Sequence, residues 1–333
     1  MSNSPTGNLR LNRIDGRNLP FTVGRGTPAK IGRQIARIYA AWAEQPPPAA
    51  EVWRTAAKAV GLDEQSPFFN AGYDVARTLD LGEGTGIQHG YHNKTHYVEV
   101  LSNAAHLILR NNKADLDDIV LTQVERGKVL FAALTHDLYY EPGGNKDSRG
   151  NWVPYRLEAI AFLQAQPYLQ KYGVTKEDID DIRVMIFTTD VTPASQAGSF
   201  LRRAHAYFFG GGEKPIVTGV QESVSRVLQE PRLARLAGLL SDADILSSAG
   251  LSPEYNGAQG LRLDREFGRA SCPRDTINFL ECVAGDRFTT RAARFFQPNM
   301  EAIKEAVLAA MSASPDLARN LTRRCVDRPN TNH

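Results

Sequence analysis

Cysteine is nearly absent from this 333-residue chain: Cys272, Cys282 and Cys325 are the only three, and none stands in a CxxC pair. That scarcity excludes a disulfide framework and a thiolate zinc site, and it predicts a reducing, cytoplasmic setting. Long apolar runs are missing as well. No window approaches the ~18 uninterrupted apolar residues of a membrane span, and the start, MSNSPTGNLRLNR, lacks the apolar core of a signal peptide. Neither sign of charge dominates. Lysine and arginine number 39 against 37 acids, and 39 − 37 = +2, so no global field selects nucleic acid or a membrane as partner. Sustained period-two alternation is also lacking, which excludes a strand-built core.

What remains reads as helix. Thr27-Pro28 resembles an N-cap followed by proline at the first helical position. Ile31, Ile35, Ile38 and Trp42 then mark one apolar stripe. Val52, Trp53, Ala56 and Val60 repeat the pattern, with Gly61 placed to stop the helix. Ser66-Pro67 opens another helix through Val75 and Leu79. After a Gly-rich break from Gly82 to Gly90, the positions Val98, Leu101, Ala105 and Ile108 share a face. Residues 117 to 136 read as a helix ending in an apolar run. Further helices are expected after Pro154, after Thr175 (whose Thr-Lys-Glu-Asp resembles a capping box), after Pro231, from about Thr276 and after Pro298. No linker-like composition separates two cores. The expectation is one compact all-α domain over 27–315, a flexible extension over 1–26 and a polar tail over 316–333. The first 40 residues carry seven Lys or Arg against the single acid Asp15, read as a solvated terminal arm.

The chemistry concentrates in three short motifs. Only seven histidines occur, and three fall in Tyr91-His92-Asn93-Lys94-Thr95-His96 and in His136-Asp137. His92 and His96 are four apart, so a helix beginning there turns both into one cavity. His136-Asp137 closes an apolar helix. Asp242 and Asp244 sit in an apolar helical stretch, where carboxylates are costly to bury unless paired or bound to metal. Imidazole and carboxylate together suit zinc, iron, manganese or magnesium.

The ordered set H…HD…D resembles the HD superfamily of metal-dependent phosphohydrolases. YHNKTHYVEV resembles the YHNxxHxxxV segment of class I cyclic-nucleotide phosphodiesterases and of bacterial predicted HD phosphohydrolases. HDLYYEPGGN resembles the HD segment of both, its HDxxYxP form nearer the bacterial one. Phe187-Thr188-Thr189-Asp190 resembles a Thr-Asp pair of the phosphodiesterases. The match covers roughly residues 90 to 300. It implies an all-α hydrolase that binds one or two divalent ions (Mn, Mg, Zn or Fe) through His96, His136, Asp137 and Asp244, Asp244 being preferred to Asp242 by its Ala-Asp-x-hydrophobic context. It implies His92 as general acid, Glu158 as the residue that orients water and Asp190 as a supporting carboxylate. The implied partner is a small phosphate ester, nucleotide-like.

The chain departs from the phosphodiesterases in places. Tyr140 stands where they carry histidine, one residue is inserted before Pro-Gly, and Thr276 stands where their purine-gripping glutamine falls. Two rival readings stand beside the hydrolase: a di-iron oxygenase on the same scaffold, for which only His205 is available as an extra ligand, and a catalytically silent nucleotide-binding module. His106 is too far along its helix to share the metal. His205 reads as a surface or substrate-side residue, His89 is unassigned, and Arg202, Arg203 and Lys214 read as solvated charge.

Overall fold

The computed structural model describes residues 19–22, 26–82, 90–113, 120–141, 144–191, 197–215 and 222–313. Among them the chain forms helices α1 (Pro28–Glu44), α2 (Ala49–Ala59), α3 (Pro67–Asp80), α4 (Lys94–Lys113), α5 (Gln123–Thr135), α6 (Arg156–Lys171) and α7 (Lys176–Phe187). The second half contributes α8 (Ala197–Gly210), α9 (Glu222–Ser225), α10 (Pro231–Ala249), α11 (Pro253–Phe267), α12 (Pro273–Asn278), α13 (Arg291–Arg294) and α14 (Gln297–Ala313). The nearest thing to a strand among the described residues is one isolated bridge between Lys146 and Trp152. No described helix is long and apolar enough to cross a membrane.

Local chemistry sets the helix starts. Thr27 accepts a hydrogen bond from the Lys30 N–H with Pro28 at the first position, and Ser66 does the same for Phe68 N with Pro67. Thr175 caps Asp178 N, but the Asp178 carboxylate takes the Thr175 hydroxyl at 2.7 Å, so the reciprocal backbone bond is not made. A complete capping box forms at Thr122 and Glu125 instead. It starts α5 at Gln123 rather than at 117, and 117–119 fall outside the described residues. The helix expected at Thr276 begins at Pro273 and widens into a π-helical turn at Phe279–Val283.

Helices α4, α5 and α10 form the centre and bury nearly their whole circumference. Asn103 of α4 joins them: its amide donates to Ala243 O (2.8 Å) and Ser247 Oγ (3.0 Å) and accepts from Tyr39 Oη (2.7 Å). Around this centre α2 and α3 pack through Trp53, wholly buried, whose indole donates to Phe69 O. A buried large apolar side chain of this kind stabilises by roughly 1.5–3 kcal/mol. Leu19 and Phe21, within the stretch expected to be a loose extension, are buried in the same core. The tail from 316 lies outside the described residues.

Candidate metal centre and active-site cavity

Three central helices bring the charged motifs together. The α5 helix ends at Thr135, and His136 is its C-cap. His136 Nδ1 lies 3.1 Å from Ala133 O, an acceptor, so Nδ1 carries the proton and Nε2 turns inward. Tyr97 Oη donates to Asp137 O at 2.8 Å and pins this pair to α4. On α4, His96 Nε2 lies 3.2 Å from Asp137 Oδ2 and 3.5 Å from Asp244 Oδ1 of α10. His136 Nε2 lies 3.1 and 3.3 Å from the same two oxygens. The donor atoms of His96, His136, Asp137 and Asp244 all fall within 4.8 Å of one another.

The set suits a divalent cation. Two imidazole nitrogens and two carboxylate oxygens converge, and His136 Nε2 is buried with no hydrogen bond of acceptable geometry despite its close carboxylates. Its other nitrogen is held by a backbone carbonyl, the arrangement that orients metal-binding histidines. Protonated imidazoles balance the carboxylates when no cation does. Burial alone lowers the His96 pKa, but the hydrogen bonds it donates to Asp137 and Asp244 outweigh this and lift it to about 9. Burial likewise opposes ionisation of Asp244, yet the charge of His136 brings its carboxyl down to about 2. A cation binding here displaces those protons.

Asp242 does not join the cluster. Fully buried, it accepts Thr289 N (2.9 Å), Thr290 N (2.7 Å) and Thr290 Oγ1 (2.7 Å), tying α10 to the start of α13. His106 lies elsewhere, against Phe296 with ring centroids 5.6 Å apart. His205 is not at the surface but buried on α8 against Phe209, and it is not among the converging groups. Arg202 donates to Val283 O (2.7 Å), which spends its charge on a helix end. His89 lies outside the described residues.

His92 sits in the turn before α4, not on the helix, because Asn93 caps the helix by accepting Thr95 N at 2.9 Å. The His92 and His96 rings still lie 5.6 Å apart, and His92 Nε2 is 3.9 Å from Asp137 Oδ2. Sequence reading missed the residue that holds this turn. Glu266, on α11, accepts Tyr91 N (2.8 Å) and His92 N (2.9 Å) on one oxygen and contacts His92 Nδ1 at 2.6 Å with the other. Burial raises the Glu266 pKa, and the His92 hydrogen bond more than reverses this. Gly90 makes the contact possible: a Cβ there would meet Arg262 O at 2.5 Å and Glu266 N at 3.0 Å. The only hint in the sequence was an acid in α11, with nothing nearby to mark it. Tyr140 stacks on His92, centroids 3.7 Å apart and planes 10° apart.

Glu158 and Asp190 line the same cavity as His92, Asp137 and Asp244. Glu158 accepts Asn145 Nδ2 at 2.9 Å, and burial, helped by the charge of Asp190, pushes its pKa up to about 8. Asp190 accepts Tyr155 N at 2.9 Å. The cavity measures about 380 Å³, within the range of small-molecule sites.

No family model matches the chain, and no curated protein matches it. Solved structures do. The phosphodiesterase domain of the RhoPDE fusion protein from the choanoflagellate Salpingoeca rosetta aligns over 86% of this chain and 92% of that one, at 16% identity and TM-score 0.49. LmjPDEB1, in complex with IBMX, aligns over 80% of this chain and 87% of that one, at 16% identity and TM-score 0.51. The likeness to LmjPDEB1 shows a shared all-helical fold.

Proposed function

We propose that the chain is a metal-dependent phosphoesterase, its substrate a small, nucleotide-like mono- or diester. The observation that carries this is the convergence of His96, His136, Asp137 and Asp244 within 4.8 Å, with Asp137 and Asp244 lining a cavity that His92 lines too. The fold shared with a phosphodiesterase supports it. So does the sequence resemblance to HD phosphohydrolases, nearest the bacterial ones in the HDxxYxP segment.

Those four side chains hold the cation, Mn, Mg, Zn or Fe. Bound there, a divalent ion lowers the pKa of a coordinated water toward neutrality and polarises phosphoryl oxygens. The chain's own residues do the rest. Glu266 fixes the His92 ring through Nδ1 and leaves Nε2 to face the cavity, so His92 hands a proton from Nε2 to the departing oxygen. Glu158, lining the same cavity, orients the attacking water and can keep a proton near neutral pH. Asp190 braces the start of α6 through Tyr155 N, and its charge adds to the burial that raises the Glu158 pKa. Among the described residues His205 is not one of the converging groups, which argues against the di-iron reading.

The test is hydrolysis of bis(4-nitrophenyl) phosphate and of a nucleotide panel with each of the four metals. Activity should vanish on chelation and return with metal. His136→Ala and Asp137→Ala should bind no metal at the centre and lose activity by about 10²-fold or more, and full activity in both variants would sink the reading. His92→Ala should keep the metal and lose roughly 10²–10⁴ in kcat.

A further inference from the structure

The rings of Tyr140, Trp152, Phe267 and Phe279 line the cavity, Tyr140 stacked on His92. One carboxylate, Asp264 of α11, lines it with them. Its Oδ1 accepts both the Ser271 N–H at 2.7 Å and the Ser271 hydroxyl at 2.5 Å. These two bonds fix the carboxylate, while its Oδ2 has no partner among the described residues. The other acid at this end, Asp275, is engaged: it accepts Cys272 N at 3.0 Å and lies 3.8 Å from the Arg269 guanidinium.

A carboxylate fixed by Ser271, partly exposed in the cavity beside aromatic walls, has its second oxygen placed to accept from a ligand's donor in place of water. With the ester's phosphate beside His92 and Asp244, the cavity leaves the Asp264 side for the organic group. We infer that Asp264 selects phosphate esters whose organic group is planar and bears an N–H donor, an amino-substituted base, against analogues that present a carbonyl there. The inference rests on the phosphoesterase reading for the position of the phosphate. The rings offer stacking surface to a planar group, and O-phosphoethanolamine tests the alkylammonium that aromatic faces also attract.

The experiment is calorimetric binding of AMP, IMP and O-phosphoethanolamine to the full chain, with manganese and with chelator. AMP presents an amine at ring position 6 where IMP presents a carbonyl, and N1 is an acceptor in AMP but an N–H donor in IMP, so a preference for AMP reads the group at position 6. Wild type should bind AMP at least about tenfold more tightly than IMP. In Asp264→Asn the amide oxygen keeps both Ser271 bonds and the NH₂ replaces the free oxygen, so the preference should collapse or invert. Equal affinity of wild type for AMP and IMP, an unchanged ratio in Asp264→Asn, or no binding of either nucleotide overturns the assignment. O-phosphoethanolamine binding as tightly as AMP overturns the planar-base part. If Asp264→Asn does not fold, the wild-type ratio alone decides. Bis(4-nitrophenyl) phosphate carries no N–H donor, so its hydrolysis reports on the phosphoesterase reading and not on Asp264.

Discussion

Asp242 and Asp244 are two residues apart on α10 and meet opposite surroundings. Asp244 turns to two imidazoles, whereas Asp242 is enclosed by the Thr289 and Thr290 donors. Burial, only partly offset by those donors, raises the Asp242 pKa to about 6. The same contrast separates the histidines. His96 and His136 face carboxylates, but His205, 6% exposed, is buried near Arg294 and Arg235. Burial first, and then those guanidinium charges, press its pKa from 6.5 down to about 3. Between those values the unfolded chain binds the proton and the folded chain does not. The ring therefore contributes its full stability above pH 6.5, and the contribution is lost as pH falls toward 3. At about 1.4 kcal/mol per pH unit, the loss between pH 7 and pH 5 is about 2 kcal/mol. Urea unfolding should show wild type losing that much more than His205→Gln over this interval. Equal losses in both proteins would show that His205 titrates normally.

At the scale of elements, the contact between the Gly90–Asn93 turn and α11 decides where His92 points. A methyl at Gly90 would strike the Arg262 carbonyl, which is helix backbone and cannot swing aside. Gly90→Ala should therefore cost about 1–3 kcal/mol of stability. It should also move His92 from Glu266, lowering kcat by about 10²-fold if the shift reaches 1 Å. Metal content and KM should stay near wild type, and an unchanged kcat would show that the turn does not position the acid. The sequence made Thr27-Pro28 and Ser66-Pro67 legible because each cap lies beside the helix it starts. It also held the four converging side chains in ordered motifs. The start of α2 was not legible in this way, since its donors Ala49 N and Ala50 N are capped by Asp80 at the far end of α3. Glu266 was hidden for the same reason: it is 174 residues from the histidine it holds, and no local pattern records that distance. His205 was misjudged because flanking arginines imply solvent, whereas α8 turns this ring inward against Phe209.

For the whole molecule, the four converging side chains sit where three separated stretches of chain meet, on α4, at the end of α5 and on α10, and those helices form the centre of the core. A cation held there crosslinks the centre, so its binding free energy adds to folding stability instead of staying local. With free metal at about 100 times its Kd, the gain is about 2.7 kcal/mol. For a chain of this size that amounts to a rise of a few degrees in melting temperature. Far-ultraviolet circular dichroism reports helices everywhere, while tryptophan fluorescence reports Trp42 and Trp53 in the outer helices and Trp152 at the cavity. If the core is one cooperative body, both probes should melt together and rise together when Mn is restored to chelated protein. Asp244→Ala should abolish the rise while leaving a single transition. A rise confined to one probe would mean that the metal tightens only the cavity wall, and a full rise in Asp244→Ala would remove α10 from the ligand set.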